Sequence, residues 1–239
     1  MIIKGLQAGL ETIAFASFNV AKAITPRIIE EDMIKILDRL LWLGRDCFLY
    51  DGPERIYFNP YEVHRPEPAD IILVTHEHMH HCSLVDIDRV RRPHTVIVCD
   101  QSAARKIDSP VIALEPWEKT EVEGILIESV PAYNLHTSFH PKRKGYLGFI
   151  VTLEGQRVYH AGDTDFIPEM QELEVDIALL PVSGTQVMGP DEAAQAALAL
   201  KPKVAIPTHY GMLDADMGLA EFFRSLLAGK VRVEILAKS

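Results

Sequence analysis

The 239 residues, 48% hydrophobic and 24% charged, suffice for one large domain or two small ones with a sizeable core. A net charge of −10, from 24 basic and 34 acidic side chains, argues against a general nucleic-acid surface while leaving room for a local basic pocket. Cys47, Cys82 and Cys99 are scattered and form no CxxC pair, so free thiols in a reducing, cytoplasmic setting are expected. Residues 5–24 are fairly apolar, but Gln7 and Glu11 interrupt them. They read as part of a helical extension over residues 1–35 that packs on the domain or a partner, rather than as a secretion signal. No stretch reaches the apolar length of a membrane span.

From residue 36 to 239 short strand-like runs alternate with helical ones. Strands are predicted at Leu40–Leu43, Cys47–Tyr50, Arg55–Phe58, Ile71–Val74, Thr95–Cys99, Ile125–Val130, Tyr146–Leu153, Gln156–Tyr159, Ile177–Pro181, Val204–Pro207 and Val231–Leu236. Helices are predicted at Leu84–Arg91, Ser102–Lys106, Ile167–Leu173, Asp191–Leu200 and Leu219–Leu227. Strands outnumber helices and hairpin-like pairs recur, which predicts an α/β fold with mixed sheets covered by helices.

The densest chemistry follows the Ile71-Ile72-Leu73-Val74 run, in His76-Glu77-His78-Met79-His80-His81. Open α/β sheets place their sites at strand exits of this kind. In an extended segment His76, His78 and His80 share a side, and His81 joins them only if the chain turns. Ser83 followed by Asp86 resembles a helix start and makes that turn reasonable. Several imidazoles on one loop point to a metal, with a solvated histidine-rich loop as the plain alternative. Asp163 and His209 likewise follow apolar strands, and His136 and His140 share one loop. Singly, such residues are more often hydrogen-bonded structural groups. Jointly, they are hard to explain without metal.

Thr75 to Asp86, Ala161-Gly162-Asp163-Thr164 and Thr208-His209-Tyr210-Gly211 resemble the ordered motifs of the metallo-β-lactamase superfamily. The closest likeness is to its single-domain metal-dependent hydrolases, including the ascorbate-6-phosphate lactonase-like proteins. The resemblance implies a four-layer αββα sandwich with one or two divalent ions at one edge, zinc foremost and manganese or iron as alternatives. Carried over by position, His76, His78 and His140 hold the first ion. His140 is preferred to His136 because Phe-His-Pro before a Gly-Tyr strand matches the family's third histidine. Asp163 bridges, and His81 and His209 hold the second ion. His136, the basic run Lys142-Arg143-Lys144 and Tyr210 are assigned to the substrate, although a solvated hairpin tip explains the basic run equally simply. Asp165 is a candidate proton shuttle, with a capping role as its alternative. The implied activity is metal-assisted hydrolysis of a small, anionic ester, lactone or phosphoester. Neither nucleic acid nor membrane is expected as a partner, and self-association is left open.

Three departures stand along one edge. His80 occupies the Asp position of the family's His-x-His-x-Asp-His motif, Arg45 stands where relatives often have His, and Asn59-Pro60 replaces Asp-Pro. Either His80 ligates in place of the Asp, or the second site is weak and a single ion binds. A phosphodiesterase or nuclease on the same fold, and a non-catalytic metal-binding protein, are the competing functions. Di-iron oxidoreductases of this fold usually show a Glu at a ligating position of the histidine motif and an attached electron-transfer domain, and neither is read in this chain.

Overall fold

Two sheets absorb the strand pattern of the sequence. The structure, a computed structural model, describes residues 33–211 and 217–239. The expected extension over residues 1–35 lies outside them except for 33–35, which open a helical stretch at 33–39. The unit that carries the site runs from Arg39 to Ser239.

The first sheet places β1 (Leu40–Gly44), β2 (Cys47–Asp51), β3 (Arg55–Phe58), β4 (Ile71–Val74), β5 (Val96–Asp100) and β6 (Val111–Leu114) side by side in chain order. The first three strands are antiparallel, and β3 to β6 run parallel. The second sheet repeats the plan. Its antiparallel part is β7 (Lys119–Val122), β8 (Ile125–Pro131), β9 (Leu147–Leu153) and β10 (Gln156–His160). Parallel strands β11 (Ile177–Pro181), β12 (Val204–Thr208) and β13 (Arg232–Val233) complete it.

Strand alternation sorts the core into layers. Cys47, Leu49, Tyr57, Ile72, Val74, Ile97 and Cys99 form one buried cluster with Ile87 and Val90 of the helix Leu84–Val90 and with Ala103 of the helix Gln101–Ala104. The intervening residues Phe48, Tyr50, Ile56, Phe58, Ile71, Leu73 and Val98 are buried on the opposite face, between the sheets. On the far side the helices Pro190–Leu200 and Met217–Leu226 pack on β11 and β12. The result is the four-layer αββα sandwich. Strand β4 is buried on both faces, as expected of a parallel strand covered from two sides.

The departures from the sequence reading have simple causes. Two further strands, β6 and β7, lie at sheet edges: β7, Lys119-Thr120-Glu121-Val122, carries no apolar run, and β6 is a run of only four, Val111-Ile112-Ala113-Leu114. The expected strand Val231–Leu236 contracts to Arg232–Val233, and the expected helix Ile167–Leu173 is a 3-10 turn at Pro168–Glu172.

The sheets are stitched together where the strand exits converge. Leu147 N–H donates to Thr75 O at 3.0 Å, and His209 N–H donates to Arg45 O at 3.1 Å. Gly162 sits inside this seam at φ +66°, and a Cβ there would lie 2.8 Å from Leu147 O and 3.2 Å from Thr75 Cγ2. We therefore expect Gly162→Ala to cost on the order of 2–3 kcal/mol in urea unfolding, combining left-handed strain with a backbone clash. A loss below about 0.5 kcal/mol, the range of a neutral surface change, would contradict that account.

Candidate metal centre

The turn that the histidine run required is present. His81 N–H and Cys82 N–H both donate to His78 O, at 2.9 and 2.8 Å, and Ser83 then caps the helix Leu84–Val90. This closure swings His81 back beside His76, with ring centroids 4.2 Å apart. Asp163 follows β10, His209 follows β12 in the left-handed region at φ 57°, and His140 comes from the loop between β8 and β9. A further carboxylate, Asp46, arrives from the turn between β1 and β2.

These side chains form two adjoining groups, His76 with His78 and His140, and Asp46 with His81, Asp163 and His209, the donor atoms of each lying within 4.8 Å of one another. In the first, His78 Nδ1 lies 3.0 Å from His76 Nε2 and 3.3 Å from His140 Nε2. Asp163 faces both groups. Its Oδ2 is 3.3 Å from His140 Nε2, 3.9 Å from His76 Nε2 and 3.2 Å from His81 Nε2, and its Oδ1 is 3.4 Å from His209 Nε2. Donors bound to one tetrahedral ion at about 2.0–2.1 Å stand about 3.4 Å apart, so the spacing fits a shared cation.

A second observation supports the fit. Asp46 Oδ1 and Oδ2, Asp163 Oδ1 and His81 Nε2 are buried without a hydrogen-bond partner. His81 Nε2 and Asp163 Oδ2 are close enough to bond, yet the nitrogen is not aligned as a donor. Such atoms converge on a common point. Buried polar groups ordinarily find partners, and a cluster left unpaired needs a cation to balance it.

Outer contacts orient the imidazoles. His140 Nδ1 lies 2.9 Å from Asn134 Oδ1 and 3.1 Å from Gln186 O, both acceptors, so its proton sits there and Nε2 is left as a donor of electrons. His76 Nδ1 meets Thr75 Oγ1 at 3.0 Å, and His209 Nδ1 meets Ser183 Oγ at 3.0 Å. Burial lowers His76 well below an ordinary histidine and lowers His78 and His140 as well, which keeps all three neutral as ligation requires. Burial also opposes charge on His209, but Asp46 and Asp163 outweigh it and push its pKa up to about 9. Asp163 in turn is held well below the carboxylate range by His81 and His209, against the desolvation that would raise it.

Several residues assigned from sequence are placed elsewhere. His80, next to the turn, is half-buried against the Tyr61 ring, 4.8 Å between centroids, and belongs to neither donor group. Asp165 accepts from Asn134 Nδ2 at 2.7 Å, Leu135 N at 2.7 Å and His136 N at 3.2 Å, so both its oxygens anchor a loop rather than shuttle a proton. Tyr210 is buried and stacked on Trp42, with ring centroids 4.5 Å apart. Lys142 pairs with Glu169 at 2.7 Å and Lys144 with Glu77 at 3.1 Å, while Arg143 and His136 are exposed. Sequence reasoning missed Asp46, whose only signal was a carboxylate beside the noted Arg45. It also missed Lys106, which donates to Glu77 O at 2.9 Å from a distant helix end.

Fold and centre together define a protein of the metallo-β-lactamase class. A profile described as the beta-lactamase superfamily domain matches residues 39–209. A UPF0173 metal-dependent hydrolase of Thermococcus kodakarensis is 33% identical over 215 residues, covering 83% of this chain and 96% of that protein. Among solved structures, one from Parabacteroides distasonis assigned to the metal-dependent hydrolases is 32% identical, with TM-score 0.74 over 82% of this chain and 91% of that one. A metallo hydrolase of Ignicoccus hospitalis shares the fold at 23% identity and TM-score 0.70, over 84% of this chain and 95% of that one. The chain belongs to the beta-lactamase superfamily, in its single-domain UPF0173 branch.

The protonation pattern sets how the metal-free protein responds to pH. His76, His78 and His140 bind protons less readily folded than unfolded, so their stabilisation is full above about pH 6.5 and is lost as pH falls. His209 has the opposite sign. Its stabilisation is present below about 6.5 and disappears as pH rises through about 9. Melting temperatures of the metal-free protein should therefore fall from pH 7 to 5, and His209→Gln should flatten the decline between pH 7 and 9. A melting temperature constant from pH 5 to 7.5 would contradict the buried-neutral assignment.

Proposed function

We propose that this protein is a metal-dependent hydrolase of a small, negatively charged ester, lactone or phosphoester. The observation that carries the reading is Asp163, one buried carboxylate placed against imidazoles of both donor groups. When bound, a divalent ion lowers the pKa of water from about 15.7 toward 7 and acts as a Lewis acid on a carbonyl or phosphoryl oxygen. The nitrogen-rich donor set favours zinc, with manganese or iron as alternatives, and one or two ions as the load. The relatives named as metal-dependent hydrolases point the same way.

The chain's own residues divide the work. Asp163 fixes the spacing between the two groups, and the Nδ1 contact of His140 holds that ring in the ligating tautomer. At the rim, Glu77 receives Lys106 at 3.3 Å and Lys144 at 3.1 Å, so two cations face one carboxylate beside His76 and His78. That surplus of positive charge supports an anionic substrate on an otherwise acidic protein. Phe139 and Leu135 are exposed nearby in sequence to His140 and offer apolar contact to the remainder of a small molecule. No helix among the described residues is long and apolar enough to cross a membrane, and the three cysteines are buried free thiols, which supports a cytoplasmic setting.

The test is a panel of lactones, phosphomonoesters, phosphodiesters and β-lactams with protein reconstituted in Zn²⁺, Mn²⁺ or Fe²⁺. Asp163→Ala should reduce kcat/KM by about 10³-fold or more. Lys106→Ala and Lys144→Ala should raise KM severalfold at low salt, with the difference shrinking as ionic strength rises. Full metal content without turnover on any class would replace this reading with a non-catalytic metal-binding role.

A further inference from the structure

The histidine motif has lost its carboxylate, yet the second donor group contains two. Asp46 is wholly buried, and neither carboxylate oxygen accepts a hydrogen bond. Its Oδ2 lies 3.6 Å from His209 Nε2 and 4.0 Å from His81 Nε2, the separations expected of ligands around one ion. Arg45 Nε approaches Asp46 Oδ2 only to 3.8 Å, and Arg45 Nη2 lies 3.0 Å from His209 Nε2. A buried carboxylate with neither oxygen hydrogen-bonded calls for positive charge, of which Arg45 and His209 supply only part at these distances.

The hairpin that delivers Asp46 is clamped on both sides. Arg45 adopts φ 51°, and its carbonyl accepts from Trp42 Nε1 at 3.0 Å and from His209 N at 3.1 Å. The Asp46 carbonyl accepts from His160 Nε2 at 3.1 Å. His160 has no other proton to place there, because its Nδ1 accepts from Gly162 N at 3.2 Å. His160 is itself buried and stacked on Phe58 at 5.5 Å. Three elements therefore spend hydrogen bonds on holding one turn. His80 meanwhile packs on Tyr61, outside the group.

We propose that Asp46 is the anionic ligand of the second cation, delivered by the β1–β2 hairpin, so that the carboxylate missing at position 80 has been relocated rather than lost. The inference rests on reading this centre as metal-binding, and adds which residue completes its second half. Arg45 then lies beside the second ion and positions the turn, and His160 is a positioning residue that fixes Asp46 through its backbone. Position 80 has no ligand role.

The experiment is elemental analysis and calorimetric titration with Zn²⁺ on the full chain, using Asp46→Asn, Asp46→Ala, His80→Ala and the double exchange Asp46→Ala with His80→Asp. Circular dichroism verifies folding. The proposal expects two equivalents in the unsubstituted protein and in His80→Ala, and one in both Asp46 variants. Affinity for the second equivalent should fall by more than about 100-fold, since even outer partners of a ligand are worth 10–100-fold. The double exchange should recover the second equivalent by returning a carboxylate to the loop, and recovery would also show that the Asp46 loss is not misfolding. Two equivalents retained in Asp46→Ala, or one lost in His80→Ala, would overturn the proposal. So would one equivalent in the unsubstituted protein with two in Arg45→Ala, which would make the guanidinium the second positive charge. No bound metal in any form would instead defeat the hydrolase reading itself.

Discussion

The constraint on which the rest of the molecule depends is the burial of Asp163 between four imidazoles. A carboxylate so deeply enclosed is tolerable only if positive charge is supplied, and His209, whose pKa is pushed up to about 9, supplies part of it in the metal-free form. The protein cannot relax the arrangement, because the groups around it are fixed to several different strand ends. Asp163 follows β10, His76 follows β4 and His209 follows β12, and the interstrand register at these ends leaves little freedom. Gly162 is part of the same constraint. Only a residue without Cβ lets β10 leave beside Thr75 and Leu147 and present Asp163 at the seam.

Preorganisation of this kind is a property of the sandwich rather than of any one loop. Two half-sheets of the same plan bring their parallel strands to a common edge, where the exits of β4, β10 and β12 meet the β1–β2 turn. The hydrogen bonds that stitch the edge, Leu147 to Thr75 and His209 to Arg45, join residues adjacent to the donor groups. Stability and site geometry are therefore coupled. His160 illustrates the point: a buried histidine between phenylalanines serves the core with its ring and the centre with its Nε2 proton.

Much of this was legible in the chain. The buried run Ile71–Val74 followed by histidines announced a strand exit with metal chemistry, and Asp163 and His209 repeated that signature. What stayed hidden required three dimensions. Asp46 follows the apolar run Leu40–Leu43, but it sits in the tight turn between β1 and β2, where an Asp is an ordinary solvated turn residue, so nothing local marked it as a ligand. His80 was aligned with its neighbours by strand periodicity, but the turn that recruits His81 rotates position 80 toward Tyr61. Asp165 resembled a second catalytic acid until its three amide donors from residues 134–136 became visible. The edge strand β7 escaped because Lys119-Thr120-Glu121-Val122 has no apolar run, whereas β6 carries one, Val111-Ile112-Ala113-Leu114, only four residues long.

Asn59 shows how a departure in sequence acquires meaning in space. Its Oδ1 accepts from Thr75 N at 2.9 Å, which turns its amide nitrogen toward His81 Nδ1 at 3.0 Å. A carboxylate at that position would accept from both and keep the ring proton on Nδ1. The Asn59 amide instead donates to Nδ1 and leaves that proton on Nε2 in the metal-free form, so ligation through Nε2 requires the tautomer to reverse, in a centre with one negative charge fewer. The charge of the centre then rests on Asp163 and Asp46 alone.

X-ray absorption at the zinc edge, on the zinc-loaded protein, addresses the central claim most directly. An imidazole-rich nitrogen and oxygen shell at about 2.0–2.1 Å, without sulfur at about 2.3 Å, is the predicted result. A sulfur shell, or a spectrum lacking imidazole scattering, would place the metal elsewhere and contradict the account.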